Sequence, residues 1–376
     1  MQSKIEKHPN KNEKQKTEVP SLLPSSSSTK STVIILISRP SPTLSSEELR
    51  HPYTPHLYLH GCKALPFPVM STAGRLVFCK RFSSLSRCWS AYNAPKRTTL
   101  TDLRKLYAEN TPISVATAWD ALTGRITEKS AIDITLVGDS FAMVSSGFED
   151  TNELELEEMI FHARAVTRGN STSFLVADMP FGTFELSDSQ AVETAIRLVK
   201  EARVQAVKIE GGKDITPTIR RIVGAGVPVM GHVGLTPQKH NTFGGYKVQG
   251  GSFERAKEIL DDCRALEEAG VFSIVLECVP NKLAELATAS VNVPTIGIGA
   301  GPSVSGQVLV LADMLGMNDK APAKFVKQYM NFFDQATAAV AQYKTDVQER
   351  AFPDPNEHGY KMKSSVLQEI KAYMEK

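Results

Sequence analysis

Beyond Pro95, short aliphatic runs alternate with stretches of 10 to 20 residues whose apolar positions recur at helical spacing. That alternation is the pattern of β/α units. Eight runs read as strands: Ser114–Trp119, Thr135–Gly138, Phe174–Met179, Ala206–Ile209, Val227–Gly231, Ser273–Leu276, Thr295–Ile298 and Val308–Leu311. Between them, Ser187-Asp188-Ser189-Gln190 has the form of a capping box, and Ala191, Val192, Ala195, Ile196 and Val199 then fall on one face. Gly226 and Gly270 stand where helices close before the next strand. Eight such repeats in about 220 residues predict an α/β fold of the closed (β/α)8 TIM-barrel type.

The rival α/β architecture, a doubly wound open sheet, calls for a Gly-rich phosphate turn after its first strand. Here that strand runs into Asp120-Ala121-Leu122, with no G-x-G-x-x-G. The glycines of Gly297-Ile298-Gly299-Ala300-Gly301 follow the seventh strand instead, where they read either as an anion loop or as a tight turn. Lys324 to Arg350 has a long helical pattern placed outside the barrel, and residues 361–376 read as a C-terminal helical tail.

Composition changes the picture only at the N-terminus. The chain has 376 residues and a net charge of +2, which conceals a division. Residues 1–101 carry net +10, and the remainder net −8. The basic balance therefore gives no argument for a nucleic-acid partner, because the body is acidic. Residues 1–69 form a Ser/Pro-rich and polar extension, expected to be disordered. No acidic residue occurs from Leu49 to Thr101, and residues 70–97 (Met-Ser-Thr-Ala-Gly-Arg-Leu-Val-Phe-Cys-Lys-Arg at their start) have the Arg- and Ser-rich, acid-poor character of a mitochondrial transit segment. Mitochondrial localisation is expected, a cytoplasmic one being the alternative. The catalytic domain would span 98–360. No membrane association is expected, since the longest aliphatic run near the start, Val33–Ile37, is far short of a spanning length. Cys62, Cys79, Cys88, Cys263 and Cys278 include no C-x-x-C pair and read as free thiols.

The chemistry sits where the strands end. Asp120, Asp139, Ser140, Asp178, Glu210, His232 and Glu277 each follow or close a predicted strand. In a TIM barrel the carboxyl ends of the strands converge on one face. One acid at such a place is most simply a helix cap. Several together repel unless a cation neutralises them or some are protonated. Oxygen ligands without paired Cys or His point to a hard ion such as Mg²⁺.

Lys208 and Glu210, two apart on one strand, share a face; they read either as a structural ion pair or as a cation for a substrate carboxylate beside a metal-facing acid. His232 at the end of the fifth strand is a candidate polar contact or proton donor to a substrate oxygen. Glu277 lies in an apolar run, where burial would raise its pKa and suit it to general-base work. A divalent cation, an acid-lined cleft and one such base suggest enolate chemistry on a 2-oxo acid.

From about residue 98 to 360 the chain resembles the ketopantoate hydroxymethyltransferase family. The likeness is carried by Leu136-Val137-Gly138-Asp139-Ser140, Ala177-Asp178-Met179-Pro180-Phe181, Val207-Lys208-Ile209-Glu210-Gly211-Gly212, Gly231-His232 through Gln238, Phe243 through Gly250, Leu276-Glu277-Cys278-Val279-Pro280 and Ile296 through Gly301. The resemblance implies a TIM barrel, Mg²⁺, and transfer of a one-carbon unit from 5,10-methylenetetrahydrofolate to 2-oxoisovalerate, giving 2-dehydropantoate. It implies that Asp139, Asp178 and Glu210 surround the metal, that Asp139, Ser140, Asp178 and Lys208 contact the 2-oxo acid, and that Glu277 is the proton acceptor. A homo-oligomer acting on small molecules is also implied. Trp119, Gly251 and Ala312 depart from the family pattern, at positions that bear on the folate side and on subunit contacts. Two other readings remain: a Mg²⁺-dependent 2-oxo acid carbon–carbon lyase on the same barrel, and a non-catalytic scaffold, which loss of a metal carboxylate or of the base would favour.

Overall fold

The computed structural model describes residues 96–376, so the expectations for the extension, for most of the transit segment and for Cys62, Cys79 and Cys88 lie outside the described residues. Eight strands close into a barrel in chain order: β1 Ile113–Thr117, β2 Ile134–Val137, β3 Phe174–Asp178, β4 Ala206–Glu210, β5 Val229–Gly234, β6 Ser273–Glu277, β7 Thr295–Ile298 and β8 Gly306–Leu309. Every pairing is parallel, and β1 pairs with β8 to complete the ring. The predicted (β/α)8 barrel is thus the observed one, with strand limits displaced by at most three residues. β5 starts two residues late, after Pro228, because proline supplies no ladder N–H. It then runs on to Gly234, held by pairing with β6 as far as Glu277.

Alternation along each strand sorts the apolar residues into two cores. Val115, Leu136, Val176, Ala206, Met230, Val275, Ile296 and Val308 fill the barrel interior, joined by Leu103 from the helix Leu100–Ala108. That helix starts on a capping box in which Thr99 accepts from the Asp102 N–H while the Asp102 carboxylate accepts from the Thr99 N–H. Residues of opposite parity, among them Val137, Leu175, Ala177, Val207 and Ile209, pack outward against the helices.

The helix Asp188–Arg197 begins where its sequence predicts, with Ser187 capping the Gln190 N–H. Gln190 does not complete the box; its side chain bonds Leu186 N and Gly182 O instead. The buried face is Ala191, Thr194, Ala195 and Leu198, while Ile196 is 39 % exposed. Ile196 lies one position off the 191–195–198 stripe, so counting it as core was an error of phase. Gly270 caps its helix at φ +96°, and Gly226 follows the Ala225 cap at φ +90°.

The expected helix from Lys324 to Arg350 is shorter, Phe332–Gln348, because Tyr329, Phe332 and Phe333 give their N–H groups to Met314, Leu315 and Gly316 and hold residues 329–333 as a strap. The tail contains the helix Ser364–Met374. Neither helix has a buried residue, and Val340, Tyr343, Leu367 and Tyr373 are all exposed. Among the described residues no helix is long and apolar enough to cross a membrane.

Candidate active site

Strand parity that builds the interior core also aims the chemistry. Continuing each inward-facing set by two residues brings Asp178, Lys208, Glu210, His232 and Glu277 to the carboxyl mouth. Register then makes neighbours of them: Asp178 is opposite Lys208, Glu210 opposite His232, and Glu277 opposite Gly234. They line a cavity of about 520 Å³ together with Asp139 and Ser140. Seven of the eight residues singled out in the sequence therefore meet in one place.

Asp120 does not join them. Its carboxylate accepts from the Thr123 N–H at 2.7 Å and caps the helix Ala121–Lys129, the simpler fate of a strand-end acid. Asp139 has the outward parity of β2 but lies just past the strand, where the turn carries it inward and its N–H donates to Asp178 Oδ2 at 3.0 Å. Gly138 keeps that turn open. A Cβ there would lie 3.3 Å from Ser140 Oγ and 3.6 Å from Asp178 Oδ2.

The charges are paired across strands. Lys208 Nζ stands 2.7 Å from Asp178 Oδ1, and His232 bridges two acids, its Nδ1 3.3 Å from Glu210 Oε1 and its Nε2 3.3 Å from Glu277 Oε2. Burial and the charges of Asp178 and Glu210 hold the Asp139 carboxyl well above the usual range. Burial would also raise Glu210, but the His232 cation, Lys208 and the Gln238 N–H together outweigh it and the net shift is downward. For Lys208, burial pulls down while Asp178, Glu210 and Asp139 lift it further, keeping it charged. His232 is pushed up to about 9: burial and Lys208 oppose the proton, and Glu210 and Glu277 secure it. Glu277 is less enclosed than its apolar run suggests, with 16 % of its side chain exposed to the cavity.

One residue at the core of this network had been quoted only as part of a motif. Gln238 donates from Nε2 to Asp139 Oδ2 at 2.9 Å and to Met179 O at 3.0 Å, and from its backbone N–H to Glu210 Oε2 at 3.1 Å. It thereby ties acids of β2 and β4 to the segment after β5, a tertiary link that no local spacing reveals. The segment continues over the mouth, where Tyr246 stacks on His240 and donates to Met143 Sδ, and His240 Nε2 is 3.3 Å from Asp150.

A hard divalent cation suits this donor set. Asp139, Asp178 and Glu210 are three buried carboxylates beside a single lysine, and Asp178 Oδ1 is buried without an aligned hydrogen bond despite the nearby ammonium. Among the described residues no three His, Cys, Asp or Glu side chains form a cage on protein atoms alone. Glu210 is engaged by His232 and by the Gln238 N–H. Mg²⁺ commonly takes one or two carboxylates and completes its shell with water and substrate.

The glycine segment after β7 is a tightly packed turn. A Cβ on Gly299 would come within 3.0 Å of the Phe325 ring, and one on Gly301 within 2.5 Å of Asn281. Cys263 is buried and free; Cys278 is free and lines the cavity, its thiol pushed up to about 11 by burial and the Glu277 charge.

Residues 97–355 match the sequence model of the ketopantoate hydroxymethyltransferase family. The 3-methyl-2-oxobutanoate hydroxymethyltransferase of Emericella nidulans is 45% identical over 293 residues, which is 77% of this chain and 84% of that protein. Its namesake from Enterococcus faecalis is 48% identical over 261 residues, covering 69% and 94%. Arabidopsis thaliana has a relative named 3-methyl-2-oxobutanoate hydroxymethyltransferase 1, mitochondrial, that is 46% identical over 281 residues, covering 73% and 81%.

Proposed function

Because the chain belongs to the ketopantoate hydroxymethyltransferase family and is a hydroxymethyl transferase acting on 3-methyl-2-oxobutanoate, we propose that it draws the one-carbon unit from 5,10-methylenetetrahydrofolate, with Mg²⁺ at Asp139 and Asp178, and yields 2-dehydropantoate. The carrying observation is the meeting of acids from three strands with one buried lysine and, across His232, a less enclosed Glu277.

When bound, the cation supplies Lewis acidity at the 2-oxo carbonyl. Lys208 and Ser140 hold the substrate carboxylate, Lys208 as a charge fixed by Asp178. Glu277 accepts the proton of C3, and that carbon then bonds to the one-carbon unit, whose bonds to the two folate nitrogens break while water supplies the hydroxyl and tetrahydrofolate leaves. His232, protonated between Glu210 and Glu277, keeps the base aimed and offers a donor to a substrate oxygen. Gln238 limits Asp139 to one orientation, leaving its other oxygen for the cation.

Purified protein given Mg²⁺, 2-oxoisovalerate and the folate donor should form 2-dehydropantoate, and a chelator should abolish the product. Equal turnover in excess chelator would contradict the cation's part. The lyase alternative predicts cleavage of the 2-oxo acid carbon chain in place of product formation. The scaffold alternative is disfavoured because the three candidate metal acids and the candidate base all line the cavity.

Two further properties belong to the same proposal. Residues 70–97 direct the chain to mitochondria, in keeping with the printed name of the Arabidopsis relative; a fusion of residues 70–100 to a fluorescent reporter should mark mitochondria, and diffuse cytosolic signal would refute the address. The exposed apolar faces of Phe332–Gln348 and Ser364–Met374 support a homo-oligomer. Sedimentation should give a mass of at least two chains, and a monomer at micromolar concentration would exclude it.

A further inference from the structure

The cavity has two unlike halves. Its charged half is built on β2 to β5. The other half, on β7, β8 and the segment beyond, presents Ile298, Val308, Val310 and Phe325, together with one acid, Asp313, and one lysine, Lys324. In register the halves meet at the base, since Glu277 of β6 is opposite Ile298 of β7.

The Asp313 carboxylate has no task in the fold. It sits in the helix Leu311–Met314, whose N-cap is Val310 and not Asp313. Its side chain takes one long hydrogen bond, from Asn318 Nδ2 at 3.3 Å. Burial raises its pKa and no charged neighbour offsets that burial. A half-buried carboxylate without a cationic partner is costly to keep, and the cost is recovered when a ligand brings donors to it. Size points the same way, because about 520 Å³ lies in the range that encloses drug-sized molecules and exceeds what one five-carbon acid occupies.

We infer that Asp313 is the recognition residue for the pterin ring of the one-carbon donor, its carboxylate accepting the paired donors of the 2-amino-4-oxo edge, N3–H and the 2-amino group, while the ring lies on Val310 and Phe325. The inference rests on the proposed folate donor and names the subsite for it. A planar fork of two parallel N–H groups is what a carboxylate accepts best. The ring so placed lies on the wall that begins beside Glu277, and thus next to the carbon that accepts the one-carbon unit.

The test uses the full chain with Asp313→Asn, which keeps the shape and removes the second acceptor, and with Asp313→Ala. Both should raise the KM for methylenetetrahydrofolate about tenfold or more. Solvent deuterium exchange at C3 of 2-oxoisovalerate without folate should stay within about twofold, because that half-reaction uses only the charged half. As a binding probe, 6-methyltetrahydropterin, which has the ring without the benzoyl-glutamate tail, should compete with the donor in the unsubstituted protein and lose most of that inhibition in Asp313→Asn. An unchanged folate KM and unchanged pterin inhibition would overturn the assignment. A parallel fall of exchange and transfer would overturn it too, since Asp313 would then be supporting the rim. Absence of exchange in the unsubstituted protein would instead defeat the functional reading of the whole site.

Discussion

Replacing Glu277 with glutamine should lower deuterium exchange at C3 of 2-oxoisovalerate by about a thousandfold, within the 10²- to 10⁴-fold range that a positioned base contributes. The amide keeps the volume and the hydrogen-bonding reach but has no oxygen basic enough to take a proton from carbon. Among the cavity acids, Glu277 faces the cavity with 16 % of its side chain exposed, whereas Asp178 and Glu210 are almost wholly enclosed and committed to Lys208 and His232. Divalent-cation binding should therefore be little changed in Glu277→Gln. Full exchange in this variant would remove Glu277 from the role of base.

The second large effect is expected at Asp178. It faces Lys208 at 2.7 Å and receives the Asp139 N–H, so it serves charge balance and cation binding together. Asp178→Asn should weaken the divalent cation by about a hundredfold or more, since loss of a group supporting a ligand already costs 10- to 100-fold. Asp178→Ala should in addition destabilise the fold by about 3–5 kcal/mol, because the Lys208 ammonium would be left buried without its partner. Activity measured against Mg²⁺ concentration reads the first effect and thermal unfolding the second. An unchanged metal titration for Asp178→Asn would argue against a ligand role.

How far the sequence could be read depends on the range of the interaction involved. Strand-length aliphatic runs and the acids at their ends are local patterns, and they lead to the barrel and to all seven cavity residues. Whether a strand-end acid turns inward depends on parity and on the next turn. Asp178, Glu210 and Glu277 follow inward parity, Asp120 turns away to cap a helix, and Asp139 comes inward through the turn at Gly138. Residues whose role is set by contacts across the barrel give no such local signal. Gln238 touches Asp139 across 99 positions of chain, and the glycines after β7 are read correctly only once Phe325 and Asn281 are seen against them. The C-terminal helical pattern is interrupted by backbone pairing of residues 329–333 with 314–316, a tertiary event that periodicity does not register. Asp313 gives no local signal; its significance comes from an apolar wall assembled by β7, β8 and Phe325.

The account turns on one cation held between the turn after β2 and the end of β3. The most direct measurement is anomalous diffraction from crystals of the protein grown with Mn²⁺ and 2-oxoisovalerate. The expected result is one strong peak per chain at the barrel mouth, about 2.0–2.2 Å from oxygens of Asp139 and Asp178, the range for a hard divalent ion. A mouth without a peak, with Mn²⁺ bound elsewhere or not at all, would contradict it.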